Sequence, residues 1–215
     1  MNRRIRLLLL FVFFFGLQLY FLVYEGVIKT GDGTISRFIY ANYDQVQYSP
    51  FFMTIFLFLY IHIVRIPVLK PEYYIRLRNR IVSYVVEESV QGGAFLATVL
   101  YGIILATGLL FGLHIDSFSY VLLAYGRLVL YFIAGYLLYW MFYFITEREV
   151  LAMVGYLLSQ WVVSVLYSLI DFYVFGLYKP SHNVISILFA IYSVLIGLVA
   201  TFVLIKKQRK DFFVR

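Results

Sequence analysis

Six apolar blocks of membrane-spanning length partition this chain, and they leave little freedom in what it can fold into. They cover residues 7–24, 48–68, 94–113, 118–145, 150–178 and 184–205. A helix needs about 20 predominantly apolar residues to cross the ~30 Å hydrocarbon core of a bilayer. No water is present there to satisfy a free backbone N–H or C=O, so blocks of this kind span as helices. The expected fold is all-α: a polytopic membrane protein of six transmembrane helices. Composition agrees, since 63% of residues are hydrophobic and the mean hydropathy is +0.88, well above the roughly 45–50% apolar share of soluble domains.

The distribution of charge gives the orientation. The chain carries 18 Lys and Arg against 11 Asp and Glu, for a net charge of +7. Fourteen of those cations fall on one side of a six-span layout: Arg3, Arg4, Arg6, Arg65, Lys70, Arg76, Arg78, Arg80, Arg148, Lys206, Lys207, Arg209, Lys210 and Arg215. Lys29, Arg37 and Lys179 fall on the other, and Arg127 lies inside a span. The positive-inside rule then places both termini in the cytoplasm of a multi-pass cell-membrane protein. Because the basic residues flank spans, anionic headgroups account for them better than nucleic acid does, and no nucleic-acid partner is expected. Cysteine is absent, which excludes disulfides, thiolate metal sites and Cys nucleophiles. The opening MNRRIR precedes about 18 apolar residues without an A-x-A site, so the first block reads as a retained anchor rather than a cleaved signal.

Residues 1–215 read as a single transmembrane domain. What remains outside the spans is an external segment near 25–47, a cytoplasmic segment near 69–93 and a basic tail from Lys206, none large enough to bury a core of its own. The most informative is 71–88, PEYYIRLRNRIVSYVVEE. Pro71 suits a first helical position and Glu72 complements the positive end of the helix dipole. Tyr74, Leu77, Ile81, Tyr84 and Val85 recur at helical spacing, while Glu72, Arg76 and Arg80 stack on another face. The pattern predicts a basic amphipathic helix at the inner membrane surface, either a surface element with snorkelling arginines or a docking helix for a soluble partner. Gly92-Gly93 predicts a break before the third span.

Other motifs bear on chemistry. Glu87-Glu88 opens an E-E-x-x-x-R pattern used by one class of intramembrane protease, but Gly92 stands where the arginine is needed. A solvated helix end is the simpler reading. Gly108 and Gly112 form a G-x-x-x-G, and Gly102 with Ala106 a second small pair, suited to close helix packing within the bundle or across a dimer seam. Arg127 and Asp171 are charges set inside apolar blocks, at similar depth in the outer half, where they could pair or line a polar path. Gln160 and Ser159 could donate across helices. His62, His114 and His182 have no metal-ligand spacing, and no metal or cofactor is expected. The 21 Tyr and 22 Phe cluster near the expected interfaces as aromatic belts.

Six spans, both ends inside, no catalytic set and a basic amphipathic segment between spans two and three resemble the permease subunit of ABC-2-type transporters. The likeness is to the small bacterial ones linked to peptide-antibiotic export or self-immunity. It covers nearly the whole chain in topology and at residue level rests on 70–93, where YYIRLRNRIVSYVVEE is similar to that family's cytoplasmic coupling segment. The resemblance implies a protein that is not itself an enzyme and pairs with a second permease subunit. No G-x-x-x-x-G-K-[ST] loop occurs, so it also implies a separate cytoplasmic ATPase subunit. Arg76, Arg78, Arg80, Glu87 and Glu88 would form the ATPase contact, and the cargo would be an amphipathic peptide or lipid-like molecule. The alternative class is a non-transporting immunity, assembly or sensor subunit.

Overall fold

The computed structural model describes parts of 5–16, then 33–39, 81–174, 191–192 and 194–206, with the backbone alone over 163–174. The second expected span, Arg76, Arg78, Arg80, His62, His182 and the tail beyond Lys206 lie outside the described residues. Among the described residues the chain is helical and forms no strand, apart from one isolated bridge between Thr34 and His114. The principal elements are α1 (Ile81–Leu110), α2 (Phe118–Thr146), α3 (Glu149–Val174) and α4 (Val194–Lys206). A short helical turn occupies 35–39.

Two of these helices, Val82–Leu110 and Phe118–Thr146, are long and apolar enough to cross a membrane. Each has 29 residues, or about 43 Å at 1.5 Å per residue. α2 is apolar around its whole circumference rather than along one stripe, the pattern of a helix surrounded by protein or lipid rather than by water.

Local chemistry sets the ends of these helices. α1 closes in a Schellman motif: Leu113 N–H donates to Gly108 O at 3.0 Å and Gly112 N–H to Leu109 O at 3.1 Å. Gly112 sits at φ +78°, the left-handed conformation that this cap requires and that glycine adopts without penalty. Ser117 caps α2, its hydroxyl accepting Tyr120 N–H at 3.3 Å and its carbonyl accepting Val121 N–H at 3.2 Å. Between α2 and α3 the chain reverses through Glu147 and Arg148. Glu147 donates its N–H to Tyr143 O at 2.8 Å from a positive φ of 56°, unusual for a residue with a Cβ.

One expectation is corrected here: the chain does not break at Gly92-Gly93, because α1 runs unbroken from Ile81 to Leu110. The stretch 81–88, expected as the end of a separate coupling helix, is therefore continuous with the rest of α1. The two glycines have a packing role instead. A Cβ on Gly93 would lie 2.7 Å from the backbone N of Ile133, and one on Gly92 would lie 3.0 Å from the Tyr136 ring. Their missing side chains let α2 press against α1, which offsets the roughly 1 kcal/mol that a helical glycine costs.

The chain divides into two compact units. One comprises Met1–Ile66 with Phe95–Val129, the other Pro67–Ala94 with Leu130–Arg215. In the first, Ile35, Phe38, Ile39, Leu96, Ala97, Leu100 and Ala124 are buried. The core of the second holds Phe132, Tyr136, Trp140, Phe144 and Tyr156. There Gly155 also admits a neighbour, since a Cβ at that position would lie 2.6 Å from the Phe142 ring.

Candidate functional site

In the second unit the N-terminal part of α1 is fixed against α2. With Gly93 opposite Ile133, antiparallel counting puts Glu87 level with about Tyr139 and Ile81 level with the end of α2. Glu87 faces outward and accepts Gln91 Nε2–H at 3.1 Å, a pair one helical turn apart. Glu88, next in sequence, is 7% exposed and turned into the unit. Ser89 is fully buried and donates to Val85 O at 2.7 Å. The two adjacent glutamates thus part company: Glu87 is available to a partner, and Glu88 belongs to the packing of the unit. At the same level α2 carries an aromatic cluster. The Trp140 ring meets Tyr143 edge-on at 5.6 Å and stacks on Phe144 at 5.8 Å, and Tyr139 meets Trp140 at 6.2 Å. The Trp140 indole N–H is buried with no hydrogen-bond partner among the described residues.

Deeper in this unit a polar chain links three helical segments. Tyr131 on α2 donates its hydroxyl to Gln160 Oε1 at 3.1 Å, and Gln160 Nε2 donates to the Tyr192 hydroxyl at 3.2 Å. Gln160 is 4% exposed and Tyr131 6%. A buried amide would otherwise leave donors and acceptors unmet in an apolar setting, so the chain ties α3 to its neighbours at this depth. Gln160 makes the cross-helix bonds expected of it. Ser159 does not; its hydroxyl turns back to Tyr156 O at 2.7 Å on its own helix.

The first unit places Arg127 on α2 at 6% exposure, near enough to Tyr101 to act on it electrostatically. Tyr101 donates its hydroxyl to Val121 O, and its ring lies 5.3 Å from that of Tyr125. Tyr125 and Thr98 share a hydroxyl hydrogen bond of 2.8 Å. Asp171 lies in the last turn of α3, and its side chain falls outside the described residues. The four small residues on α1 and its cap take different roles. A Cβ on Gly108 would meet Phe38, Leu113 and Ile35 at 3.3–3.6 Å, Gly112 shapes the cap, and Gly102 and Ala106 face outward, with open space around Gly102.

The same unit contains a strap absent from the sequence reading. Residues 33–39 cross the turn that joins α1 to α2, and all three leading N–H groups of the helical turn at 35–39 find acceptors. Ile35 N–H donates to His114 O at 2.9 Å, Ser36 N–H to Asp116 Oδ1 at 3.2 Å, and Arg37 N–H to Thr34 Oγ1 at 3.3 Å. Asp116 therefore helps cap a helical turn 80 residues away in sequence. Partial desolvation pushes its carboxyl pKa upward, but donors from Ser36 and from the backbone of Asp116 and Ser117 together outweigh that and hold it below the ordinary value. Thr34 is the only part of this arrangement with a sequence signature, that of an N-cap; the acceptors it meets in the 114–116 turn have none.

Among the described residues no cluster of three His, Asp or Glu side chains could hold a metal ion. Comparison with models of protein families, with characterised proteins and with solved structures finds no match.

Proposed function

We propose that this chain is the permease subunit of an ATP-driven transporter of the ABC-2 type, with six spans and both termini cytoplasmic in the cell membrane. It would move an amphipathic peptide or lipid-like substrate, powered by a separate ATPase subunit and paired with a second permease subunit. One observation carries the reading: α1 joins the inner segment 81–88 to the membrane-length helix without a hinge, and Gly92 and Gly93 clamp that helix to α2. A push delivered to the inner end by a cytoplasmic motor would be transmitted along a rigid rod, which is what a coupling element requires. The exposed Glu87 would contribute to the motor contact together with Arg76, Arg78 and Arg80. Glu88, which turns inward, would act on the rod rather than on the motor.

The test is affinity purification of the full chain from its native membranes with identification of the bound subunits. An ATPase and a second permease copy recovered at fixed ratio support the proposal. Recovery of the chain without an ATPase overturns it in favour of an immunity, assembly or sensor subunit.

A further inference from the structure

The turn that joins α1 to α2 has one covered face and one bare face. Leu113 is buried beneath the strap beside Gly108, together with Ile35, Phe38 and Ile39. On the other face Leu110 and Phe118 are 74% and 73% exposed, and Leu109, Phe111 and Ile115 are each about half exposed. Five large apolar side chains within ten residues exceed what a water-facing turn of this length normally leaves uncovered. They are also continuous with the outward apolar positions of a membrane-length helix, since Leu122 and Leu123 follow Phe118 on α2 and are exposed in turn.

The polar groups of the turn sit on the opposite side. His114 and Asp116 supply the acceptors for the strap, and Arg37 of the strap is exposed. We infer that the 109–118 turn does not stand in water but lies in the headgroup–acyl boundary of the bilayer, with its bare face in lipid and its strap-covered face toward water. An aliphatic and aromatic face under a polar one is the arrangement by which amphipathic segments settle at this boundary. No Lys or Arg occurs between Arg80 and Arg127, and Arg37 belongs to the strap on the opposite side, so the attraction of the bare face for the bilayer is hydrophobic and does not require anionic lipid. The inference rests on the membrane placement of α1 and α2 and not on transport.

The absence of cysteine makes the test direct. Variants L110C, F111C and F118C, with L122C and H114C as references, are labelled with bimane and reconstituted in phosphatidylcholine vesicles with and without phosphatidylglycerol. Two quenchers are then compared: a nitroxide on the acyl chain near the headgroup, and iodide in the water. The expected result at 110, 111 and 118 is nitroxide quenching at least half that at L122C, with iodide quenching several-fold below that at H114C, equal in both lipid mixtures. Iodide access equal to that of H114C would put the turn in water and overturn the inference. Protection from both quenchers would mean that protein, such as a second copy, covers the face, and would overturn it equally. If L122C also escapes the nitroxide, the membrane placement of the helices fails; if only the turn positions escape, the inference alone fails.

Discussion

A methyl group added at Gly93 would lie 2.7 Å from the backbone of Ile133, where no side-chain rotation can relieve it, whereas one added at Gly102 meets nothing within 4 Å. Overpacking of this kind costs about 1–3 kcal/mol, while Gly to Ala in an open helical position gains about 1 kcal/mol of helix propensity. G93A should therefore lower the midpoint of thermal unfolding in detergent, and G102A should leave it unchanged or raise it. Equal effects from the two would show that α1 and α2 do not meet at Gly93. Asp116 gives a pH prediction. Its folded pKa is depressed, so its contribution to holding the strap is fully present above the ordinary carboxyl value of 3.8 and is lost as pH falls through the lower folded value. As pH falls from 6 through 3.8 and below, the amide of Ser36 should lose protection from hydrogen exchange, after correction for intrinsic rates. D116A should show the reduced protection already at pH 6.

The polar chain through Gln160 works at the level of whole helices, because removing its centre takes a hydrogen bond from both the Tyr131 and the Tyr192 hydroxyls at once. Interhelical hydrogen bonds in membranes average about 0.6 kcal/mol, so Q160L should cost about 1 kcal/mol, more than Y131F, and a double-mutant cycle should show the two to be coupled. Strict additivity in detergent unfolding would remove the network from any account of how α3 is held. The helices themselves were legible in sequence to different degrees. The start of α2 at Phe118 was clear because a long apolar run begins there, and α3 begins one residue before the expected Val150. The continuity of α1 through 81–94 was not, because 81–88 mixes Ser83, Glu87 and Glu88 with apolar residues and so resembles a surface helix. Gly92-Gly93 resembled a hinge for the same reason: local propensity is visible in the chain, but Ile133, the partner that makes the glycines useful, lies forty residues away. Gly108 and Gly112 share one motif yet do different work, one as a seat for Phe38 and the other as a cap at positive φ. With 21 tyrosines in the chain, nothing in their spacing singled out Tyr131 and Tyr192 as the pair that would meet one amide.

For the whole molecule the cation distribution and the unbroken α1 make separate demands. Single cysteines at Asp32, His114 and Lys179 should react with an impermeant maleimide added outside intact cells, and one at Lys207 should react only after permeabilisation; labelling of Lys207→Cys from outside would invert the proposed topology. The coupling proposal then depends on the inner surface leading into α1. Arg76, Arg78 and Arg80 precede Ile81 in sequence, and Glu87 lies exposed on α1. Each charged contact at a wet interface contributes about 1 kcal/mol or less. Reversing all three arginines, as R76E/R78E/R80E, should therefore weaken ATPase binding by about a hundredfold while leaving the unfolding midpoint of the membrane bundle unchanged. G93A provides the contrasting variant, because it disturbs the clamp between α1 and α2 and leaves the docking charges in place. It should retain the ATPase on purification and lose transport in proportion to its loss of packing. If the triple reversal still binds the ATPase and transports normally, the basic segment is only a membrane-surface element. If G93A transports as well as the parent despite a lowered midpoint, the rod is not what carries the motor's stroke.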